Sequence, residues 1–205
     1  MVPRPTTRSA SEHATFGLCT HSGWAALVAV AGPVSNPQLL DRRRIELADH
    51  LPSQPYHEAV KLHDLTAAAA LIDRAREDAS ARARAALSTA IAEMGRKGYD
   101  VRGAALLTSQ ARALPPLGAI LMSHPLLHTA EGELFRSVLA RACEYHRLSV
   151  GQYPARNVYD RAGRSLSLTP AALRTRVAAV GRLVGRPWTA DQKTAFLAGW
   201  CLLTS

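Results

Sequence analysis

The sequence predicts an α/β protein built on a mixed five-stranded sheet, with three antiparallel strands first and alternating helices and strands after them. Three features point there. Short apolar segments separated by turn residues open the chain, and a long alanine-rich stretch without Gly or Pro follows. Two more short apolar runs then alternate with helical segments. Strands joined by short connections pair antiparallel, whereas strands separated by a helix favour parallel pairing and a sheet covered by helices.

Residues 1–14 are polar and irregular, and are expected to form a flexible tail before a single domain over residues 15–205. Thr15 to Cys19 reads as the first strand, His21-Ser22-Gly23 as a turn, and Trp24 to Ala31 as the second strand, ended by Gly32-Pro33. Leu39 to Leu47 is the third. Alternation along it puts Arg42, Arg44 and Glu46 on one face and Arg43, Ile45 and Leu47 on the other. Tyr56 to Met94 predicts one long helix or two in series, whose mixed charges read as a solvated face. Val101 to Leu107, an apolar run between breakers, fits an interior parallel strand. Pro115-Pro116 marks a loop, Pro125 suits the first position of a helix reaching about Arg147, and Leu148 to Tyr153 predicts the last strand. Two helices close the chain.

The formal charge of +9 points to a polyanionic partner, since a basic surface attracts phosphate and releases counterions. Its bland explanation is composition: Lys61, Lys97 and Lys193 are the only lysines, so the charge is almost all arginine. Arg42, Arg43, Arg44, Arg156, Arg161 and Arg164 are the candidate nucleic-acid contacts. Three scattered cysteines suit neither a disulfide framework nor a Cys-based zinc site, and a reducing cytoplasm fits them. No apolar run approaches the roughly 20 residues that span a bilayer, and no secretory h-region opens the chain, so no membrane partner is expected.

Two further places carry candidate chemistry. In the helix after Pro125 the apolar stripe is Leu127, Leu134, Val138, Ala142 and Tyr145, and Glu131 falls inside it. A carboxylate facing a core is costly unless it is paired, hydrogen-bonded or metal-bound. His124 and His128 share its side, so the three could hold a metal or exchange a proton; the plain alternative is Glu131 bonded to His128 or an arginine. In the last helix Thr189 and Gln192 have capping-box spacing, which puts Asp191 in the first turn and aligns it with Ala195, Ala198 and Leu202. Asp191 then either binds a ligand or only complements the helix dipole.

From Val150 to Leu203 the order is a strand with Tyr153 and Arg156, then NVYDRAGR with Val158 and Gly163, a helix, and a final helix opening with Asp191. This segment resembles the C-terminal half of RuvC-type Holliday-junction resolvases of the ribonuclease H superfamily. The resemblance implies a ribonuclease H-like fold, a loop around Gly163 and an acid at Asp191 that binds a divalent metal (Mg, Mn or Zn). The family's other acids do not carry over. Gly17-Leu18-Cys19 stands where the first strand has G-I-D, Leu106-Leu107-Thr108-Ser109-Gln110 supplies no fourth-strand acid, and Thr194 replaces the second acid of the final helix. Two functions follow. One is a divergent metal-dependent nuclease in which His21, His124, His128, Glu131 and Asp191 converge on a rebuilt site, with Asp191, Glu131 and His128 catalytic. The other is a non-catalytic nucleic-acid-binding or scaffold protein that has lost the acids. A homodimer is the candidate assembly.

Overall fold

The computed structural model describes residues 12–109 and 113–204. A five-stranded sheet has the order β3-β2-β1-β4-β5, formed by β1 (Glu12–His21), β2 (Trp24–Ala31), β3 (Gln38–Glu46), β4 (Tyr99–Thr108) and β5 (Ser149–Pro154). β1, β2 and β3 pair antiparallel, while β4 joins β1 and β5 joins β4 in parallel. The mixed sheet is the one expected. β1 starts at Glu12, ahead of the expected boundary, because Ala14 is fully buried and pairs with both Ala31 and Val101. The rest of the expected tail, residues 1–11, lies outside the described residues.

One face of the sheet carries α1 (Pro55–Val60), α2 (Leu65–Arg96), α3 (Leu117–Leu121) and α4 (His124–Tyr145). The stretch expected as one or two helices is two. Asp64 starts the second by accepting bonds from the Thr66 and Ala67 amides at 2.7 and 3.1 Å. α2 then buries Ala68, Ile72, Ala75, Ala79, Ala83, Leu87, Ala90 and Met94, a three-or-four-residue rhythm whose alanines let it lie close to α4 and the sheet. The stripe of α4 ends at Ala142 and Cys143. Tyr145 was expected to continue it but is exposed beneath the Arg84 guanidinium, 4.7 Å from its ring centre.

The other face carries α5 (Val158–Leu166), α6 (Pro170–Val184) and α7 (Ala190–Leu202). The segment around Gly163, expected as a loop, is the helix α5, because Val158 and Ala162 stand one turn apart and both bury against this core. α7 lies directly on β1 and β2. A Cβ at Gly17 would fall 1.8 Å from the Ala195 carbonyl oxygen, so only glycine allows this approach. Thr15 Oγ1 donates to the Gly199 carbonyl at 2.7 Å and fixes the register of α7 over β1.

Candidate functional site

Alternation along β1 sends Phe16 and Leu18 toward α2 and α4, and Thr15, Gly17, Cys19 and His21 toward α7. The capping box at Thr189 and Gln192 forms as expected and holds Asp191 in the first turn of α7, over the end of β1. Cys19 Sγ donates to Asp191 Oδ1 at 3.6 Å, and His21 Nε2 lies 3.3 Å from the same oxygen and 3.9 Å from the sulfur. Burial pushes the Cys19 thiol up to about 12, the Asp191 charge and its hydrogen bond push the same way, and Thr194 opposes them. The thiol is therefore protonated at neutral pH and serves Asp191 as a hydrogen-bond donor.

A stack of rings extends this group across this end of the sheet. His21 lies on Trp24 with centroids 4.1 Å apart and planes 8° apart, and the Arg44 guanidinium sits 4.2 Å from the centre of the Trp24 ring. Two groups this close cannot share one ring face, so Trp24 is held between them. Arg42 points to the same side but is occupied: it donates to the carbonyls of Val184 at 2.8 Å, Gly185 at 3.0 Å and Pro187, closing the end of α6. Arg43 faces the opposite side, where it is bonded to Asp41 and Glu93. At the other edge of the sheet, Arg161 lies 4.6 Å over the Tyr153 ring, exposed Arg156 lines a pocket with Thr108, Ser109 and Asn157, and Arg164 is exposed on α5. Of the six candidate arginines, Arg43 is thus cut off on the other side of the sheet and Arg42 is taken up by the end of α6. Arg44 lies on edge strand β3 and Arg156 and Arg161 beside the other edge strand β5, four strand spacings or roughly 19 Å apart, with Cys19 and Asp191 between them at the end of the central strand β1. Ser109 closes the described part of the fourth-strand segment, and Gln110 lies outside the described residues.

Glu131, His124 and His128 do not join Asp191 and His21. They sit on the α1–α4 face, beyond the sheet from Asp191, because α4 packs on the side of the sheet opposite α7. The expected convergence of all five residues does not form. Glu131, 1% exposed, accepts from the Tyr56 amide at 2.9 Å, the His57 amide at 3.2 Å and His57 Nδ1 at 3.1 Å. Its partner is neither His128 nor an arginine. Burial raises the Glu131 carboxyl above its usual range, opposed by the bonds from His57 and Tyr56. His57, which no sequence pattern singled out, brings a third imidazole to His124 and His128.

No protein-family model matches the chain, and no curated protein matches it. Solved structures do, two RuvC structures among them. A Thermus thermophilus RuvC in complex with a Holliday-junction substrate has a TM-score of 0.56 at 10% identity, over 94% of this chain and 93% of that one. A second T. thermophilus RuvC structure has a TM-score of 0.53 at 12% identity, over 93% of each chain. The fold is RuvC-like. At such identity the similarity extends to the fold and no further.

The RuvC-like fold allows its implied metal to be tested against these residues. A pair of Mg²⁺ or Mn²⁺ ions about 3.5–4 Å apart needs several carboxylate oxygens. Cys19, His21 and Asp191 offer one carboxylate, one imidazole and one thiol. That donor set does not fit a pair of hard cations. A single soft cation of the Zn²⁺ type would accept it, with ligand atoms all within 4.8 Å of one another.

Proposed function

We propose that this chain is a ribonuclease H-fold protein that binds nucleic acid across one end of its sheet without cutting it. The observation that carries the reading is the Arg44–Trp24–His21 stack beside Asp191. Both faces of the Trp24 indole are taken, so unstacked bases would meet the outer planes of the half-exposed His21 and Arg44, and exposed arginines would hold phosphates. Arg156, Arg161 and Arg164 supply a second phosphate-binding group at the opposite edge, in keeping with the +9 charge. The RuvC structure in complex with a Holliday junction makes branched DNA the first ligand to try. The lone carboxylate in the Cys19–His21–Asp191 group weighs against two-metal phosphodiester hydrolysis. A second reading, hydrolysis supported by one soft cation, is favoured by the closeness of those same three ligand atoms.

Labelled branched DNA, single-stranded DNA and RNA, titrated across a salt series with Mg²⁺, Mn²⁺ or Zn²⁺ present, test both. Binding without cleavage is expected. Trp24→Ala, which removes the support of both outer planes, should weaken it by about 1–3 kcal/mol for each stacked base lost, and Arg156→Ala, at an exposed position, should reduce the salt slope by about 1. Metal-dependent cleavage that disappears in a folded Asp191→Ala protein overturns the non-cleaving reading in favour of the second. Binding to none of the three ligands overturns both.

A further inference from the structure

The α1–α4 face carries a site that the nucleic-acid surface does not use. Pro125 suits the first turn of α4, and the four-residue spacing of His124 and His128 sets both rings on one side of that helix. Their Nε2 atoms are 3.0 Å apart. His57, on α1, approaches the pair with ring centroids 5.7 Å from His124 and 4.7 Å from His128. One ligand nitrogen from each of the three lies within 4.8 Å of the others. For comparison, two imidazole nitrogens bound to one tetrahedral Zn²⁺ are about 3.3 Å apart.

The surroundings decide what these rings are for. Glu131 Oε1 accepts two backbone N–H bonds together with His57 Nδ1. A carboxylate on Nδ1 fixes the proton there and leaves the lone pair on Nε2. His57 Nε2 is buried and has no hydrogen-bond partner among the described residues. A buried nitrogen with a free lone pair is costly unless something accepts it. His124 and His128 are solvent-exposed, and among the described residues neither pairs with a carboxylate. Three ring nitrogens converge here: one proton shared between His124 and His128 satisfies that pair but leaves the buried His57 Nε2 without a partner, whereas one cation would satisfy all three. Nitrogen-only ligation excludes Mg²⁺ and Ca²⁺, which demand oxygen.

We propose that His57, His124 and His128 bind one divalent transition-metal cation of the Zn²⁺ type through their Nε2 atoms, with Glu131 orienting His57. Three protein ligands leave the fourth tetrahedral position to water or to an external ligand, and the exposed side of His124 and His128 opens that position to solvent. The cation also ties α1 to the first turn of α4. This inference stands apart from the nucleic-acid reading and shares no residue with it.

The test uses the full-length chain, stripped of metal and titrated with Zn²⁺ by calorimetry and with Co²⁺ by visible absorption. One equivalent should bind, the Co²⁺ spectrum should be tetrahedral without a thiolate charge-transfer band, and Zn²⁺ should raise the melting temperature. His124→Ala and His128→Ala change exposed side chains, so both should fold and lose at least about 100-fold in affinity. Glu131→Gln keeps the shape and removes the charge on His57, and should lose about 10- to 100-fold. In the Cys19→Ser/Asp191→Asn protein, which removes the other donor set, the equivalent held by the histidines should bind with undiminished affinity. No bound equivalent, undiminished binding in the folded His124→Ala/His128→Ala protein, or a thiolate band lost in Cys19→Ser would each overturn the assignment.

Discussion

The two side-chain clusters on opposite faces of the sheet differ in what anchors them. Glu131 is buried to 1% exposure and receives three N–H donors, two of them from the backbone of α1. Asp191 is one-third exposed, and its contacts to His21 and Cys19 are longer, at 3.3 and 3.6 Å. The first acid holds two helices together and aims an imidazole. The second stands at a helix start over the end of the central strand, beside Cys19 and the His21 ring that stacks on Trp24. Both acids lie among the apolar positions of their own helix, yet one is enclosed between two helices and the other opens to solvent. The number and burial of their donors separate them.

The largest effect that would break this contrast is at Gly17. Gly17→Val places carbon where the Ala195 carbonyl already stands, so α7 must lift from β1 and carry Asp191 away from Cys19. A stability loss of about 3 kcal/mol or more is expected from overpacking, with a lower urea midpoint. An unchanged midpoint would mean that α7 does not seat on β1.

Truncating the two acids sharpens the contrast directly. Glu131→Ala strands the Tyr56 and His57 amides and should cost about 3 kcal/mol. Asp191→Ala should cost less than about 1 kcal/mol, the scale of a helix-dipole interaction at a partly exposed position. Equal losses in urea denaturation would erase the distinction.

The smallest effect concerns Cys19. Its thiol is raised from an ordinary 9.0 to about 12, so above pH 9 the folded chain keeps a proton that the unfolded chain releases. Folding stability contributed by this group is complete below pH 9 and falls as pH rises toward 12. Asp191→Asn removes the charge that helps hold the proton, so alkylation of Cys19 by iodoacetamide at mildly alkaline pH should speed up a few-fold. An unchanged rate would show that burial alone protects the thiol.

Much of the architecture was legible along the chain. β2 runs from Trp24 to Ala31 as turn residues and apolar run length require, the β3 alternation holds from Arg42 to Ile45, and the Thr189–Gln192 box opens α7. These are local properties, expressed within a turn or a strand pair. α5 was missed because its buried face is only Val158 and Ala162, too few positions to show a helical period. His57 was missed because its partner Glu131 is 74 residues away, and nothing near His57 in the chain marks a ligand.

The sequence by itself determined the five strands, the helices other than α3 and α5, the cap that opens α7, and most of the apolar side of each element. It also placed an acid on the apolar side of α4 and another in the first turn of α7. Only the tertiary structure decided that these acids lie on opposite faces of one sheet, that Arg42 and Arg43 are tied down while Arg44, paired with Glu46, also stacks on Trp24, and that His57 completes the histidine group. The physical reason is one of range. Hydrophobic periodicity orients a side chain relative to its own element, whereas the neighbours it meets depend on strand order and on which layer each helix joins.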